Sequence, residues 1–138
     1  DSYCFATVAA VGTGTTQMLY MLCRTRQETG GGFTMDGVGV VWNRAAGLQV
    51  GILTNWGWTQ TGSTINATAP AAGYKYGCTV VGTTSQTVTV YLDTGSGFSD
   101  VGHEHPTNTY QSAGHLSLSV GTAETAHIQF DDFGGGTQ

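Results

Sequence analysis

The sequence has few charged side chains. Charged residues make up 9% of its 138 positions, against about a quarter in an ordinary soluble domain, and Lys75 is the one lysine. Long amphipathic helices need Glu, Lys, Arg and Leu at periodic spacing, so this scarcity argues against a helical fold. The formal net charge is -5, and too few cations are present to replace counterions on phosphate. We therefore expect neither nucleic acid nor an anionic membrane surface as a partner.

The sequence also lacks long apolar runs and paired cysteine motifs. No run approaches the ~18 apolar residues that a membrane helix needs, so membrane insertion is not expected. Cys4, Cys23 and Cys78 form an odd set without CxxC spacing, which excludes a zinc ribbon and argues against a disulfide framework. The favoured interpretation is buried free thiols, and a single Cys4–Cys23 bridge is the alternative.

Glycine, threonine and valine are abundant instead, and they favour strands joined by tight turns. Glycine supplies 22 residues, and β-branched side chains suit pleated, half-buried surfaces. Apolar and polar residues alternate, or apolar runs are bounded by turn residues, in eight segments: 3–11, 18–26, 33–42, 48–58, 74–81, 86–93, 115–120 and 126–133.

The spacing of these segments predicts one all-β domain over residues 1–133. Its fold would be an antiparallel two-sheet β-sandwich of the jelly-roll type. Segment 59–73 is predicted to be a short edge strand plus a loop, and segment 95–112 a long loop with one short strand. The glycine-rich residues 134–138 are predicted to form a flexible tail.

The order of several motifs resembles that of laminin-G-like, concanavalin-like domains. The motifs are YGCTVVG at 76–82, TVTVYLD at 87–93, SAGHLSL at 112–118 and IQFDDF at 128–133. Many such domains carry roughly 30 to 40 further residues before the part that opens this chain, and these supply an outer strand. The resemblance therefore implies one of three things: a fragment, a natural minimal version of the domain, or a sandwich whose edge is completed by a neighbouring subunit.

Paired carboxylates, which glycosidases require, are not visible. The only glutamates are Glu28, Glu104 and Glu124, and they are scattered along the chain. Asp131 and Asp132 are adjacent on a predicted strand, so their side chains should point to opposite faces. We therefore expect a non-enzymatic protein, with a glycoside-active enzyme as the least favoured alternative.

A sugar platform is the most specific binding hypothesis. Trp56 and Trp58 flank a glycine on a segment predicted to be extended, which would place both indoles on one face. Flat aromatic faces stack on pyranose rings, and Asn55 and Gln60 could bond the hydroxyls. The alternative is that both indoles belong to the core or to a subunit interface.

Two weaker patterns indicate metal binding. His103 and His105 lie two residues apart, near Asp100, and could hold a divalent ion such as zinc if the segment is extended. Domains of the resembled family often carry a structural calcium, for which Asp131 and Asp132 are the nearest candidates. The competing interpretations are solvated loop histidines and an aspartate pair that caps backbone amides.

These observations favour a structural or display module of a virion or cell surface, such as a phage capsid-decoration, tail or fibre protein, that also touches surface glycans. Its partners would be other protein subunits and glycans, and its location extracellular or on a virion surface. The alternative is a carbohydrate-binding module of a secreted bacterial protein.

Overall fold

A computed structural model describes residues 1–12, 17–29, 33–107, 115–121 and 129–137. These residues form ten β-strands: β1 (Ser2–Ala10), β2 (Met18–Thr29), β3 (Phe33–Asn43), β4 (Gly47–Thr54), β5 (Gly57–Gln60), β6 (Lys75–Val81), β7 (Thr87–Asp93), β8 (Ser99–Glu104), β9 (His115–Gly121) and β10 (Gln129–Thr137). No helix within the described ranges is long and apolar enough to span a membrane.

The strands form two antiparallel sheets, which confirms the predicted all-β two-sheet sandwich. The first sheet has the order β10-β1-β6-β7-β8 and the second has the order β5-β4-β3-β2-β9. Strands β1 and β6 lie over β2 and β3 of the opposite sheet. The inner faces of the two sheets enclose the core, and the outer face of each sheet is left to present side chains.

Alternation along the strands builds the core. Its members are buried side chains from β1, β2, β3, β4, β6 and β7: Cys4, Ala6, Val8, Leu19, Met21, Cys23, Val38, Val40, Trp42, Leu48, Val50, Tyr76, Cys78, Val80, Val88, Val90 and Leu92. Trp42 packs against Tyr76 at a ring-centroid distance of 5.2 Å. Its indole N–H donates a hydrogen bond to the Thr68 carbonyl oxygen at 2.6 Å. Trp42 is thus a core residue, as the apolar strand around it predicts.

A disulfide between Cys4 and Cys23 joins the two sheets. Cys4 lies on β1 and Cys23 on β2, with their Cα atoms 5.6 Å apart. The favoured prediction of three free thiols is therefore wrong for this pair and holds for Cys78, which is free and buried. The alternative bridge is the one that forms, because β1 and β2 face each other across the core.

Arg24 ties the same sheets together by hydrogen bonds. Its side chain is buried, and its guanidinium donates to the Ser2 hydroxyl at 3.2 Å, to the Val80 carbonyl at 3.1 Å and to the Gly82 carbonyl at 2.6 Å. The acceptors belong to β1, to β6 and to the turn after β6, whereas Arg24 belongs to β2. Arg24 also forms an ion pair with the exposed carboxylate of Asp1, at 3.8 Å.

The prediction that segment 48–58 forms one strand is wrong: the structure has two strands joined by a turn. Strands β4 and β5 pair from Thr54↔Gly57 onward, which leaves Asn55 and Trp56 as a two-residue hairpin loop. Both residues have positive φ, 47° and 66°, as a type I′ turn requires. The right-handed twist of the flanking strands selects this turn type, although a tryptophan fits it poorly. The next stretch, 61–74, is a loop with one isolated bridge, Leu48↔Asn66.

The glycine-rich residues predicted to form a flexible tail belong to β10. Gly134 and Gly136 pair with Phe5 and Tyr3 of β1. A Cβ placed on Gly134 would lie 2.7 Å from the Phe5 ring, and one on Gly136 would lie 3.4 Å from the Tyr3 ring. Two aromatic rings of β1 therefore cover the bare backbone of β10, which compensates for its missing side chains. Gln138 lies outside the described residues.

Candidate functional site

The residues of the predicted sugar platform lie in the hairpin loop between β4 and β5 and on β5 itself. Trp56 stands at the tip of the loop and is 54% exposed. The backbone N–H of Asn55 donates to the Asp36 carboxylate at 2.6 Å, and this bond anchors the loop to β3. Because Trp56 lies in a turn, the two indoles do not follow each other along one extended strand.

Trp58 lies on the outer face of the second sheet, half-buried against its own strands. Its ring meets Tyr20 edge-on at a centroid distance of 5.6 Å, and a Cβ on Gly51 would lie 2.7 Å from it. Its buried indole N–H has no hydrogen-bond partner among the described residues. The Gln60 side chain donates to the Gly62 carbonyl at 3.2 Å. The structure therefore places Trp58 on the sheet face and Trp56 in the turn beside it, and the sugar platform stays a prediction.

The histidines of the predicted metal site lie at the outer edge of the first sheet. His103 and His105 are exposed, with ring centroids 5.4 Å apart. A ring nitrogen of His105 shares a hydrogen bond with the Thr87 hydroxyl at 3.2 Å, and the Asp100 carboxylate accepts from the Gly102 N–H at 2.9 Å. Among the described side chains, these two imidazoles are not joined by a third metal ligand.

The aspartates predicted for calcium lie where β10 departs from regular pairing with β1. Asp131 pairs with Thr7, and the register shifts before Gly134. Asp132 has a positive φ of 52°, and its backbone N–H donates to the Asp131 carboxylate at 3.1 Å. Both side chains are exposed. This local capping is the competing interpretation of the pair, and calcium binding stays a prediction.

Glu104, the one glutamate whose side chain is described, has a structural contact. Its carboxylate accepts a hydrogen bond from the Ser63 backbone N–H at 3.3 Å. Gly62 has a φ of +67°, which favours glycine, and a Cβ there would displace the Glu104 carboxylate. Glu28 and Glu124 lie outside the described side chains. Glu104 therefore joins the 61–74 loop to the outermost strand of the first sheet.

The outer face of the first sheet carries an aromatic groove that the sequence did not reveal. The groove has a volume of about 240 Å³ and is lined by Tyr3, Cys4, Phe5, Gly77, Cys78, Thr79, Tyr91 and Phe98. Gly77 is at its centre because it pairs with Phe5 on one side and with Tyr91 on the other. A Cβ there would meet the Cys4 carbonyl oxygen at 2.7 Å. The missing side chain thus leaves a gap between aromatic residues of neighbouring strands.

The loop between β7 and β8 supplies Phe98, which is 49% exposed. The Asp93 carboxylate accepts hydrogen bonds from the Gly95 N–H at 2.7 Å and the Gly97 N–H at 2.9 Å. These bonds lower the pKa of Asp93, because they stabilise its charged form. The Ser99 hydroxyl closes the loop by donating to the Leu92 carbonyl at 3.1 Å. Phe98 is therefore held at the groove by a loop with defined contacts.

One signal in the sequence points towards the groove. Tyr3 and Tyr91 occupy positions that alternate with buried residues, and so does Phe5. Aromatic side chains on the outward face of a strand are candidates for contact with a ligand or partner. The signal is incomplete because the register that brings β1, β6 and β7 together is not local in sequence.

Comparisons with protein-family models, with curated proteins and with solved structures found no match.

Proposed function

We propose that the chain is a non-enzymatic recognition module, displayed on an extracellular or virion surface, that binds glycan through the groove around Gly77. The observation that carries this proposal is the opening between Phe5, Tyr91 and Phe98 on an outward sheet face. Large apolar side chains left exposed in a cluster mark contact sites on soluble domains.

The lining suits a sugar ring better than a charged ligand. Aromatic faces stack on the C–H faces of a pyranose, and the hydroxyls of Tyr3, Thr79 and Tyr91 supply donors and acceptors near the ring edge. The volume of about 240 Å³ is below the ~300–1,000 Å³ typical of pockets for drug-sized ligands. One ring of a longer chain fits this size, with neighbouring rings lying along the sheet.

Binding is tested with a glycan array and with insoluble polysaccharides, using three variants. Phe98→Ala removes the groove wall contributed by the loop after β7. Phe133→Ala is the matched control, because Phe133 is similarly exposed at 41% and does not line the groove. Trp56→Ala tests the platform predicted from sequence. We expect Phe98→Ala to weaken retention by about 5- to 150-fold, because loss of a stacking contact of about 1–3 kcal/mol has that effect.

The outcomes separate the alternatives. Retention that depends on Trp56 and not on Phe98 would move the site to the β4–β5 hairpin and refute the groove. An unmodified chain that no glycan retains would refute the glycan as ligand. The Phe133→Ala variant should bind as the unmodified chain does, and a loss there would mean that the substitutions act through folding.

A structural display role through subunit contact is the second candidate, and it corresponds to the capsid-decoration, tail or fibre function predicted from sequence. It is favoured by further exposed apolar side chains, Val81 and Phe133, on strands of the sheet that carries the groove. Light scattering after size-exclusion chromatography distinguishes it: an oligomer that Phe98→Ala dissociates supports this role, and a monomer at high concentration argues against it.

A further inference from the structure

Three sulfur atoms meet in the core, although only two of them form the bridge. The Cys78 sulfur lies 2.7 Å from the Cys23 sulfur and 3.6 Å from the Cys4 sulfur. All three side chains are buried, at 2% exposure or less. The 2.7 Å separation exceeds a disulfide bond length by only about 0.7 Å. A small side-chain rotation would therefore bring Cys78 within bonding distance of Cys23.

The positions of the strands explain why Cys23 has two possible disulfide partners, Cys4 and Cys78. Cys4 and Cys78 are directly opposite each other on β1 and β6 of the first sheet, and Cys23 faces both from β2 of the second sheet. A Cys4–Cys23 bond and a Cys23–Cys78 bond would each join the same two sheets. The chain separation between the bridged residues would be 19 in the first case and 55 in the second.

We propose that Cys23 is a shared bridging position, and that Cys78 is a second partner able to replace Cys4 in the covalent tie between the sheets. Replacement proceeds by thiol–disulfide exchange. The Cys78 thiolate attacks the Cys23 sulfur, the Cys23–Cys78 bond forms, and the Cys4–Cys23 bond breaks. Cys4 leaves as a thiolate and takes up the proton that Cys78 released. The number of disulfides is unchanged, so the step needs no oxidant.

The closed core slows this exchange in two ways. Displacement requires the attacking sulfur to lie on the extension of the bond that breaks, whereas Cys78 lies beside that bond, within 3.6 Å of both bridged sulfurs. Burial also raises the pKa of the Cys78 thiol, which suppresses the thiolate that attacks. The partner is therefore chosen when the bridge first forms or when the core opens.

The test compares Cys4→Ser with Cys78→Ser after oxidation by glutathione disulfide at neutral pH. Free thiols are counted and the bridge is located by peptide mass mapping. We expect each variant to lose both of its remaining free thiols, Cys78→Ser through Cys4–Cys23 and Cys4→Ser through Cys23–Cys78. If Cys4→Ser keeps both thiols, or pairs only between chains, while Cys78→Ser forms its bridge, the proposal is overturned.

A second measurement uses the unmodified chain and covers the case in which Cys4→Ser fails to fold. The chain is reduced, its fold is checked by circular dichroism, and it is reoxidised by glutathione disulfide without denaturant. Samples are quenched with acid at successive times. Early samples should contain Cys23–Cys78 beside Cys4–Cys23. Complete absence of Cys23–Cys78 at every time point contradicts a shared position for Cys23.

Discussion

Removal of the buried guanidinium of Arg24 is the most informative perturbation of this sandwich. In Arg24→Met, a flexible apolar side chain of similar length stays in the core while the donors are lost. The carbonyls of Val80 and Gly82 and the hydroxyl of Ser2 then lose a charged donor. Each unsatisfied buried acceptor costs about 1–3 kcal/mol. Water can reach the partly exposed turn at Gly82, so we expect a total loss of about 3 kcal/mol.

Asp1→Asn is the matched control, because it removes the ion pair of Arg24 and leaves the guanidinium in place. Asp1 lies 3.8 Å from the guanidinium, and its side chain is 45% exposed. A solvent-exposed ion pair is worth about 0–1 kcal/mol, so this variant should lose less than a third of what Arg24→Met loses. Arg24→Lys should fall between them, because one ammonium cannot reproduce the planar fork that reaches three acceptors.

Urea unfolding measures all three variants with the disulfide intact. The midpoint should shift while the slope with denaturant stays constant, since the surface exposed on unfolding hardly changes. A stability of 5–15 kcal/mol is usual for a domain, so a loss of about 3 kcal/mol is readily resolved. An equal loss of stability in Asp1→Asn and Arg24→Met would contradict this expectation, because the ion pair and not the hydrogen bonds would then be the stabilising contact.

Two further predictions follow from the core and from the β4–β5 hairpin. Burial raises the pKa of Cys78, so the folded chain retains a proton that the unfolded chain releases. The free energy of unfolding should therefore fall as pH rises above about 8.5, by up to about 1.4 kcal/mol per pH unit. Cys78→Ala should remove this pH dependence below about pH 10. An unchanged pH dependence in Cys78→Ala would show that the Cys78 thiol is not its cause. Trp56→Gly places a residue that tolerates positive φ in the turn. It should raise the free energy of unfolding by about 1 kcal/mol in urea titrations. A lower free energy of unfolding would show that packing of the indole outweighs the backbone strain.

The strands and the core were predictable because alternation is a local signal. In β7 the sequence TVTVYLD places Val88, Val90 and Leu92 inside, as its period of two requires. The turn at Asn55 and Trp56 was missed because tryptophan favours strands and rarely adopts positive φ. Here the twist of the hairpin overrides the preference of the residue.

The remaining errors concern contacts between distant parts of the chain. The strand character of Gly134 and Gly136 depends on rings supplied by Phe5 and Tyr3, and no local pattern in a glycine run reports this. The Cys4–Cys23 bridge likewise depends on β1 lying over β2. An odd number of cysteines argues against a disulfide framework, so the cysteine count did not favour this bridge. The groove requires three strands in register and a loop, so its aromatic residues could be identified singly but not assembled.

The Cys4–Cys23 bridge begins only three residues after Asp1, and this position has a mechanical consequence. A pulling force applied at Asp1 would reach Cys4 almost at once and pass through a covalent bond into β2 of the opposite sheet. The force would therefore leave β1 at Cys4, so the rest of β1 could not be peeled from its neighbours β10 and β6 while this bond is intact. Single-molecule stretching from the first residue should therefore extend only the chain outside the 4–23 loop, with a longer extension after reduction.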